Sequence, residues 1–180
     1  MHCKMPQVVS ALLFSSFTLA TVSLSQLPIW ARGTVYADSC LPASDFQLSG
    51  IPLHGDERAT LEQLGKWVAM KSDSGEDDGG TFTRDTYSYR DLEVEAIRGL
   101  VTKVATSSPR TKTPSGLRPG LGRDAIRRLL LSKGVTFKGS ADTLQIAACS
   151  PDGVVLEDLL ALTFDSNGRA RVLWIYASSP

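Results

Sequence analysis

The sequence predicts an α+β fold of two similar halves, each a short helix packed on an antiparallel sheet. Three observations lead to this fold. Glycines bound two short stretches with helical spacing of apolar residues, at residues 55–65 and 120–134. Strand-like alternation follows each stretch. The halves, residues 46–109 and 113–180, also end alike, on VATSSP and IYASSP, which indicates a tandem repeat.

Residues 1–37 are predicted to be a secretory signal peptide, because His2 and Lys4 precede an apolar run at residues 8–20. Cleavage after Ala37 would leave residues 38–180 as a single exported domain. The uncharged run at residues 5–31 is also long enough for an uncleaved membrane anchor, and lipidation of Cys40 is a third possibility. All three place the domain outside the cytoplasm, in the periplasm or the medium.

In the first half, Leu61 and Leu64 lie at helical spacing before Gly65. Strands are predicted at residues 67–70, 81–89, 92–97 and 100–106. Residues 92–96 alternate strictly between apolar and acidic side chains, which places Glu93 and Glu95 on a solvent-exposed face.

In the second half, Ile126, Leu129 and Leu130 form the apolar side of a helix that ends before Gly134. Strands are predicted at residues 135–138, 144–149, 154–164 and 171–177, with a hairpin turn at residues 165–168. Residues 107–114, rich in Ser, Thr and Pro, form the predicted joint between the halves.

A short helix opened by a glycine-containing turn and followed by an antiparallel meander resembles the unit of SmpA/OmlA-type bacterial envelope proteins. Its tandem form is similar to the β-lactamase-inhibitor-protein fold. Residues 55–65, residues 120–134 and the two closing hairpins carry this resemblance. It implies a binding protein, either an inhibitor or a component of envelope assembly, and it assigns no functional residue.

Charge and cysteine content restrict the partners and the compartment. Nineteen basic and nineteen acidic residues give zero net charge without a basic block, which argues against a nucleic-acid partner. The chain has no cofactor motif, so no cofactor is expected. Cys40 and Cys149 are predicted to form a disulfide, as an even pair does in an oxidising compartment; two unpaired thiols are the alternative.

An acidic, glycine-rich segment contains Asp73, Glu76, Asp77 and Asp78. Four carboxylates could bind calcium through oxygen ligands, but their spacing is not that of an EF-hand loop, so no metal site is predicted. We interpret the segment as a solvated loop between strands that is a possible recognition loop.

Candidate catalytic groups are few. A Ser-His-Asp hydrolase would have to use His54, the one histidine beyond the signal, and a surface turn is the favoured interpretation of that residue. Glu93, Glu95, Glu157 and Asp158 are conceivable as paired acids for glycoside cleavage, but surface charge is favoured. No catalytic residue is therefore predicted.

Two further sets of side chains are candidates for binding. Arg123, Arg127 and Arg128 on the second helix form either a basic patch for an acidic partner or anionic lipid, or the wet face of the helix, which is favoured. Aromatic residues at alternate strand positions form a binding surface if their sheet face is open and core if a helix covers it; they are Tyr87, Tyr89, Trp174 and Tyr176. Core is favoured for Trp174.

The sequence therefore predicts a non-enzymatic exported protein-binding module, of the inhibitor, immunity or envelope-accessory type. Its partner would be another exported or envelope protein, engaged through a sheet face or the segment at residues 72–83. Membrane contact is expected only if the N-terminal segment is uncleaved or Cys40 is lipidated. The alternative is a small secreted hydrolase that acts on cell-wall or extracellular material.

Overall fold

The computed structural model describes residues 34–77, 79–138 and 141–177. Within these residues the chain forms eleven strands and two α-helices, with a 3-10 turn at Ala43–Asp45. The elements are β1 Thr34–Tyr36, β2 Leu41–Pro42, β3 Gln47–Leu48, β4 Ile51–Pro52, α1 Glu57–Leu64, β5 Ala69–Asp77, β6 Gly80–Ser88, β7 Glu93–Ile97, β8 Leu100–Thr106, α2 Arg123–Leu131, β9 Thr143–Cys149, β10 Val155–Phe164 and β11 Ala170–Tyr176.

Nine of these strands form one mixed sheet. Its order is β1-β9-β10-β11-β8-β7-β6-β5, and β2 also pairs with β9. Both β1 and β2 run parallel to β9, and the other neighbours are antiparallel. The short hairpin β3–β4 lies outside this sheet.

The prediction of two similar halves, each a helix on its own antiparallel sheet, is wrong. The closing strands of the two halves, β8 and β11, pair with each other, from Leu173 opposite Thr106 to Tyr176 opposite Lys103. Pairing satisfies the backbone groups that each half would otherwise expose along an open edge. The chain therefore builds one continuous sheet with two short helices rather than two helix-on-sheet units.

Both helices form where the sequence predicts them. The side chain of Asp56 caps α1 by accepting a hydrogen bond from the Ala59 amide at 2.8 Å, and Gly65, at φ 74°, ends the helix. In α2, Ile126 and Leu130 are fully buried and lie one turn apart, so the helix packs through a single apolar side.

The core lies between the helices and one side of the sheet. Alternate residues of the central strands point into it, as the burial patterns of β9 and β11 show. Its fully buried members include Val94, Val104, Ile126, Leu144, Ile146, Leu160, Leu162, Leu173 and Ile175. Because side chains from both halves contribute, the core is one cluster.

The predicted joint between the halves is a packed segment. Ser108, Thr111 and Thr113 within it are buried. The Thr113 hydroxyl accepts a hydrogen bond from the Leu117 amide at 3.1 Å, and Leu117 itself is fully buried. The segment is thus held by the core rather than acting as a free linker.

The predicted disulfide is confirmed. Cys40 and Cys149 are bonded, with Cα atoms 5.5 Å apart and a sequence separation of 109 residues. The bond joins the segment beside β2 to the end of β9, where Pro42 is the register partner of Cys149. It ties the start of the described chain to the second half.

The predicted signal peptide lies mostly outside the described residues. Its last part is described: Thr34–Tyr36 forms β1 on β9, and the Ala37 amide donates to the Gln145 carbonyl at 2.8 Å. Cleavage after Ala37 would therefore remove β1 and expose that edge of β9. Neither described helix has the length and hydropathy needed to cross a bilayer.

Candidate binding face

The side of the sheet opposite the helices is termed the open face. In the middle of the sheet it consists of two rows of register partners, each running from β6 to β9. The first row is Ser88, Glu93, Ala105, Trp174, Ala161 and Gln145, and the second is Thr86, Glu95, Lys103, Tyr176, Leu159 and Ala147. Apart from Ala161, these side chains are partly exposed, in contrast to the buried residues at alternate positions.

Trp174 lies at the centre of the open face. The prediction that it belongs to the core is wrong, because neither described helix covers this side of β11 and the indole is only partly buried. Its two register partners, Ala105 and Ala161, are small, so they leave the indole accessible from above the sheet. By contrast, Tyr87 on the other side is 5% exposed and belongs to the core.

Tyr176 lies diagonally beside Trp174 in the next row. Its hydroxyl accepts a hydrogen bond from Gln145 Nε2 at 2.9 Å, which fixes the ring across three strands. Partial burial raises the pKa of Tyr176, and the nearby Tyr36 raises it further, against a smaller lowering by the Gln145 amide. The phenol is therefore neutral at physiological pH and presents a hydrogen-bonding group at the face.

Two hollows flank this aromatic pair. One, of about 630 Å³, lies beside the β6–β7 turn and is bordered by Tyr89 and Val172. The other, of about 420 Å³, lies toward the β5–β6 hairpin and is bordered by Phe82 and Tyr176. Lys103 and Trp174 line both hollows, so these two side chains form a ridge between them. A ridge between two concavities suits the surface of another protein better than one small ligand.

Charged residues on the open face are arranged in ion pairs. Lys103 Nζ lies 3.2 Å from Glu93 Oε1, and Arg84 Nε lies 3.5 Å from Glu95 Oε1. The Arg84 contact is an ion pair without hydrogen-bond geometry, since this buried Nε has no hydrogen-bond partner within the described residues. The pairing leaves the face close to neutral.

Tyr89 is the second residue here with an unsatisfied polar atom. Within the described part of the chain, its buried hydroxyl has no hydrogen-bond partner, and burial raises the pKa of Tyr89. The side chain borders the larger hollow. A buried hydroxyl left without a partner is costly.

The acidic, glycine-rich segment predicted as a solvated loop, residues 73–80, belongs to a regular hairpin, so that structural prediction is wrong. Nine residues of β5 pair with nine of β6 without a register shift. Gly75 suggested a loop, but the structure shows that glycine is needed at this strand position because the Phe82 ring lies against it. An added Cβ at Gly75 would lie 2.5 Å from Phe82 Cζ, so only glycine lets the ring cover the strand.

The predicted recognition residues are spread along this hairpin. Asp73 Oδ2 pairs with Lys71 Nζ at 2.7 Å, and Glu76 is exposed on β5. Asp77 Oδ1 accepts hydrogen bonds from Arg98 Nη2 at 2.8 Å and from the Gly79 amide. The Arg98 hydrogen bond lowers the pKa of Asp77 below its ordinary value. Asp78 lies outside the described residues.

His54 lies in an exposed turn, as predicted, with φ at 61°. Its Nε2 is 2.9 Å from Asp158 Oδ1 in the other half of the chain. The imidazole is 48% exposed, and no hydroxyl or thiol of the described residues is hydrogen-bonded to it. The contact is a weak surface bridge between the halves, which sequence reasoning missed because 104 residues separate the partners.

The remaining acids and the helix arginines also have structural contacts. Glu93 and Glu95 pair with basic residues, as described above, and Glu157 is exposed on β10. The Arg123 guanidinium lies 4.0 Å from the centre of the Phe164 ring, and that of Arg127 lies 5.1 Å from the Phe137 ring. Both contacts hold α2 to the domain.

No group of three or more potential metal ligands occurs among the described residues.

No protein-family model matches the chain, and comparisons with curated proteins and with solved structures also give no match.

Proposed function

We propose that this chain is an exported protein-binding module that engages another exported or envelope protein through the open face. The single observation that carries the proposal is the Trp174–Lys103 ridge between two hollows on a sheet side that no described helix covers. Tryptophan and tyrosine supply much of the binding energy at protein interfaces. Here Trp174 and Tyr176 are adjacent and partly exposed at the centre of such a surface.

The electrostatics of the face support a protein partner. Because Lys103 and Arg84 are paired with Glu93 and Glu95, the described residues of this face offer no cluster of free cations to phosphates. Nucleic acids require several such contacts. Ion pairs around an aromatic centre correspond to the polar rim and apolar middle of protein interfaces.

The setting of the domain agrees with export. The Cys40–Cys149 disulfide is of the kind that persists in oxidising compartments, and the basic-then-apolar start of the chain resembles an export signal.

Truncation of Trp174 tests the proposed function. We expect Trp174→Ala to weaken capture of a partner from the envelope and medium fractions by about 30-fold, since a central tryptophan typically contributes about 2 kcal/mol. Once the partner is identified and purified, calorimetry measures its dissociation constant for wild type and Trp174→Ala.

Trp67→Ala is the matched control. Trp67 is 38% exposed and makes an edge-to-face contact with Tyr87, on the helix side of the sheet, so its loss is expected to leave binding unchanged. Equal binding by wild type and Trp174→Ala would contradict the proposal. So would turnover of a cell-wall or extracellular substrate that is lost in His54→Ala.

A further inference from the structure

β5 is a long, regular strand whose outer edge is unpaired within the described residues. β5 is the last strand in the sheet order, and seven of its nine residues are exposed. It has no proline and no register shift against β6, and no described segment pairs with its outer edge. Such an edge presents a row of unpaired backbone groups to another strand.

The hairpin geometry shows which backbone groups face outward. Asp77 and Gly80 close a two-residue turn and are register partners, so they form a hydrogen-bonded pair. Hydrogen-bonded pairs then recur at every second residue, at Gly75, Asp73, Lys71 and Ala69. The intervening residues direct their N–H and C=O groups outward; they are Met70, Ser72, Ser74 and Glu76.

The charges of β5 select one antiparallel register with a second copy of the same strand. With Ser72 opposite Ser72, Lys71 of each copy lies opposite Asp73 of the other, and the small residues Ala69 and Gly75 also meet. The residue at the two-fold axis then has outward-facing backbone groups, so the axis passes through a hydrogen-bonded pair. Two opposite-charge pairs form on one surface of the joined sheet.

The other symmetric registers with comparable overlap are disfavoured. Centring the pair on Lys71 places lysine opposite lysine, and centring it on Asp73 places aspartate opposite aspartate, which is destabilising. Centring it on Ser74 places Lys71 opposite Asp77, which would draw each of them from its partner within the copy, Asp73 or Arg98. The register centred on Ser72 instead adds contacts between copies to the Lys71–Asp73 pair that each copy already contains. The charges that discourage indiscriminate edge pairing therefore permit the register centred on Ser72.

We propose that β5 is a homodimer interface, in which two copies join edge to edge in antiparallel fashion with Ser72 at the two-fold axis. The axis is perpendicular to the sheet, so the open faces of both copies lie on the same side and form one surface of eighteen strands, twice the nine of one copy. A contact confined to strand edges is small, and it forms a weak, concentration-dependent dimer. The proposal does not rest on the proposed function.

Site-specific cross-linking tests the register. In a Cys3→Ser background, Ser72→Cys places two thiols opposite each other with Cα atoms about 5.5 Å apart, within the range of a disulfide. Ser74→Cys is the matched control, because its own copy lies about 13 Å along the strand. We expect mild oxidation to cross-link Ser72→Cys at least tenfold faster than Ser74→Cys.

Charge reversal tests the pairing independently. Lys71→Glu and Asp73→Lys each place like charges opposite each other, and each is expected to weaken dimerisation about tenfold in sedimentation velocity. An equimolar mixture of the two variants restores both opposite-charge pairs and is expected to recover the dimer as a heterodimer. Lys133→Glu, at an exposed position beyond α2, is expected to have no effect.

Three results would overturn the proposal. The first is a wild-type chain that remains monomeric at about 1 mM, a concentration at which even a weak specific dimer would form. The edge would then have a different partner. The second is equal or faster cross-linking of Ser74→Cys. The third is failure of the mixed charge variants to associate while each remains folded, as judged by an unchanged thermal transition.

Discussion

Replacing Cys40 and Cys149 together by serine is expected to lower the free energy of unfolding by about 4–5 kcal/mol. The bond closes a loop across a sequence separation of 109 residues, and in the chain-entropy account a loop of this size restricts the unfolded chain by about that amount. Urea unfolding of the double variant and the oxidised wild type at the same pH measures the difference.

Two controls separate the effect of losing the disulfide from the effect of replacing the cysteine side chains. Wild type unfolded in the presence of reductant is expected to match the double variant, whereas Cys3→Ser alone is expected to match oxidised wild type. A loss below about 1 kcal/mol would show that the bond contributes far less than its loop length implies. It would also mean that the β2–β9 pairing persists without the bond.

Truncation of Ile175 to alanine is expected to destabilise the protein by about 2–5 kcal/mol. Ile175 is fully buried and pairs with Val104 of β8 and Leu160 of β10, at the seam where the two halves share one sheet. The cavity therefore opens in the single core. Because that core is continuous, the variant is expected to unfold in one transition at lower urea concentration, as measured by fluorescence and circular dichroism together.

Val155→Ala is the matched control for Ile175→Ala. Val155 is another β-branched residue in the same sheet, but it is 64% exposed, so its truncation is expected to change stability by less than about 0.5 kcal/mol. Two separate unfolding transitions in Ile175→Ala would contradict the single-core description and favour two independently folding halves.

Local elements could be predicted from the sequence because local signals determine them. Glycine stops and apolar spacing locate α1 and α2, and alternation locates β7 at Glu93–Ile97 and β8 at Leu100–Thr106. Val135 and Phe137 alternate like a strand and are buried, but residues 135–138 form none because no strand in the described part of the chain pairs with them. Periodicity reports burial, whereas strand formation also needs a partner.

Long-range features could not be predicted in the same way. Nothing in the local pattern of β8 or β11 states that these strands pair with each other, and this pairing decides between one sheet and two. The same limit applies to Trp174, since alternation shows that it shares a face with Tyr176 but not which face the helices cover. Gly75 suggested a loop because the covering Phe82 ring comes from the neighbouring strand.

Photo-cross-linking from the open face in the native envelope tests the central claim most directly. A benzophenone amino acid in place of Ala105, the register partner of Trp174, is expected to form one discrete adduct with another protein on illumination. The same group in place of Leu131, which is 60% exposed on the helix side, is expected to form none. An adduct from position 131 and none from position 105 would contradict the assignment of the open face as the binding surface.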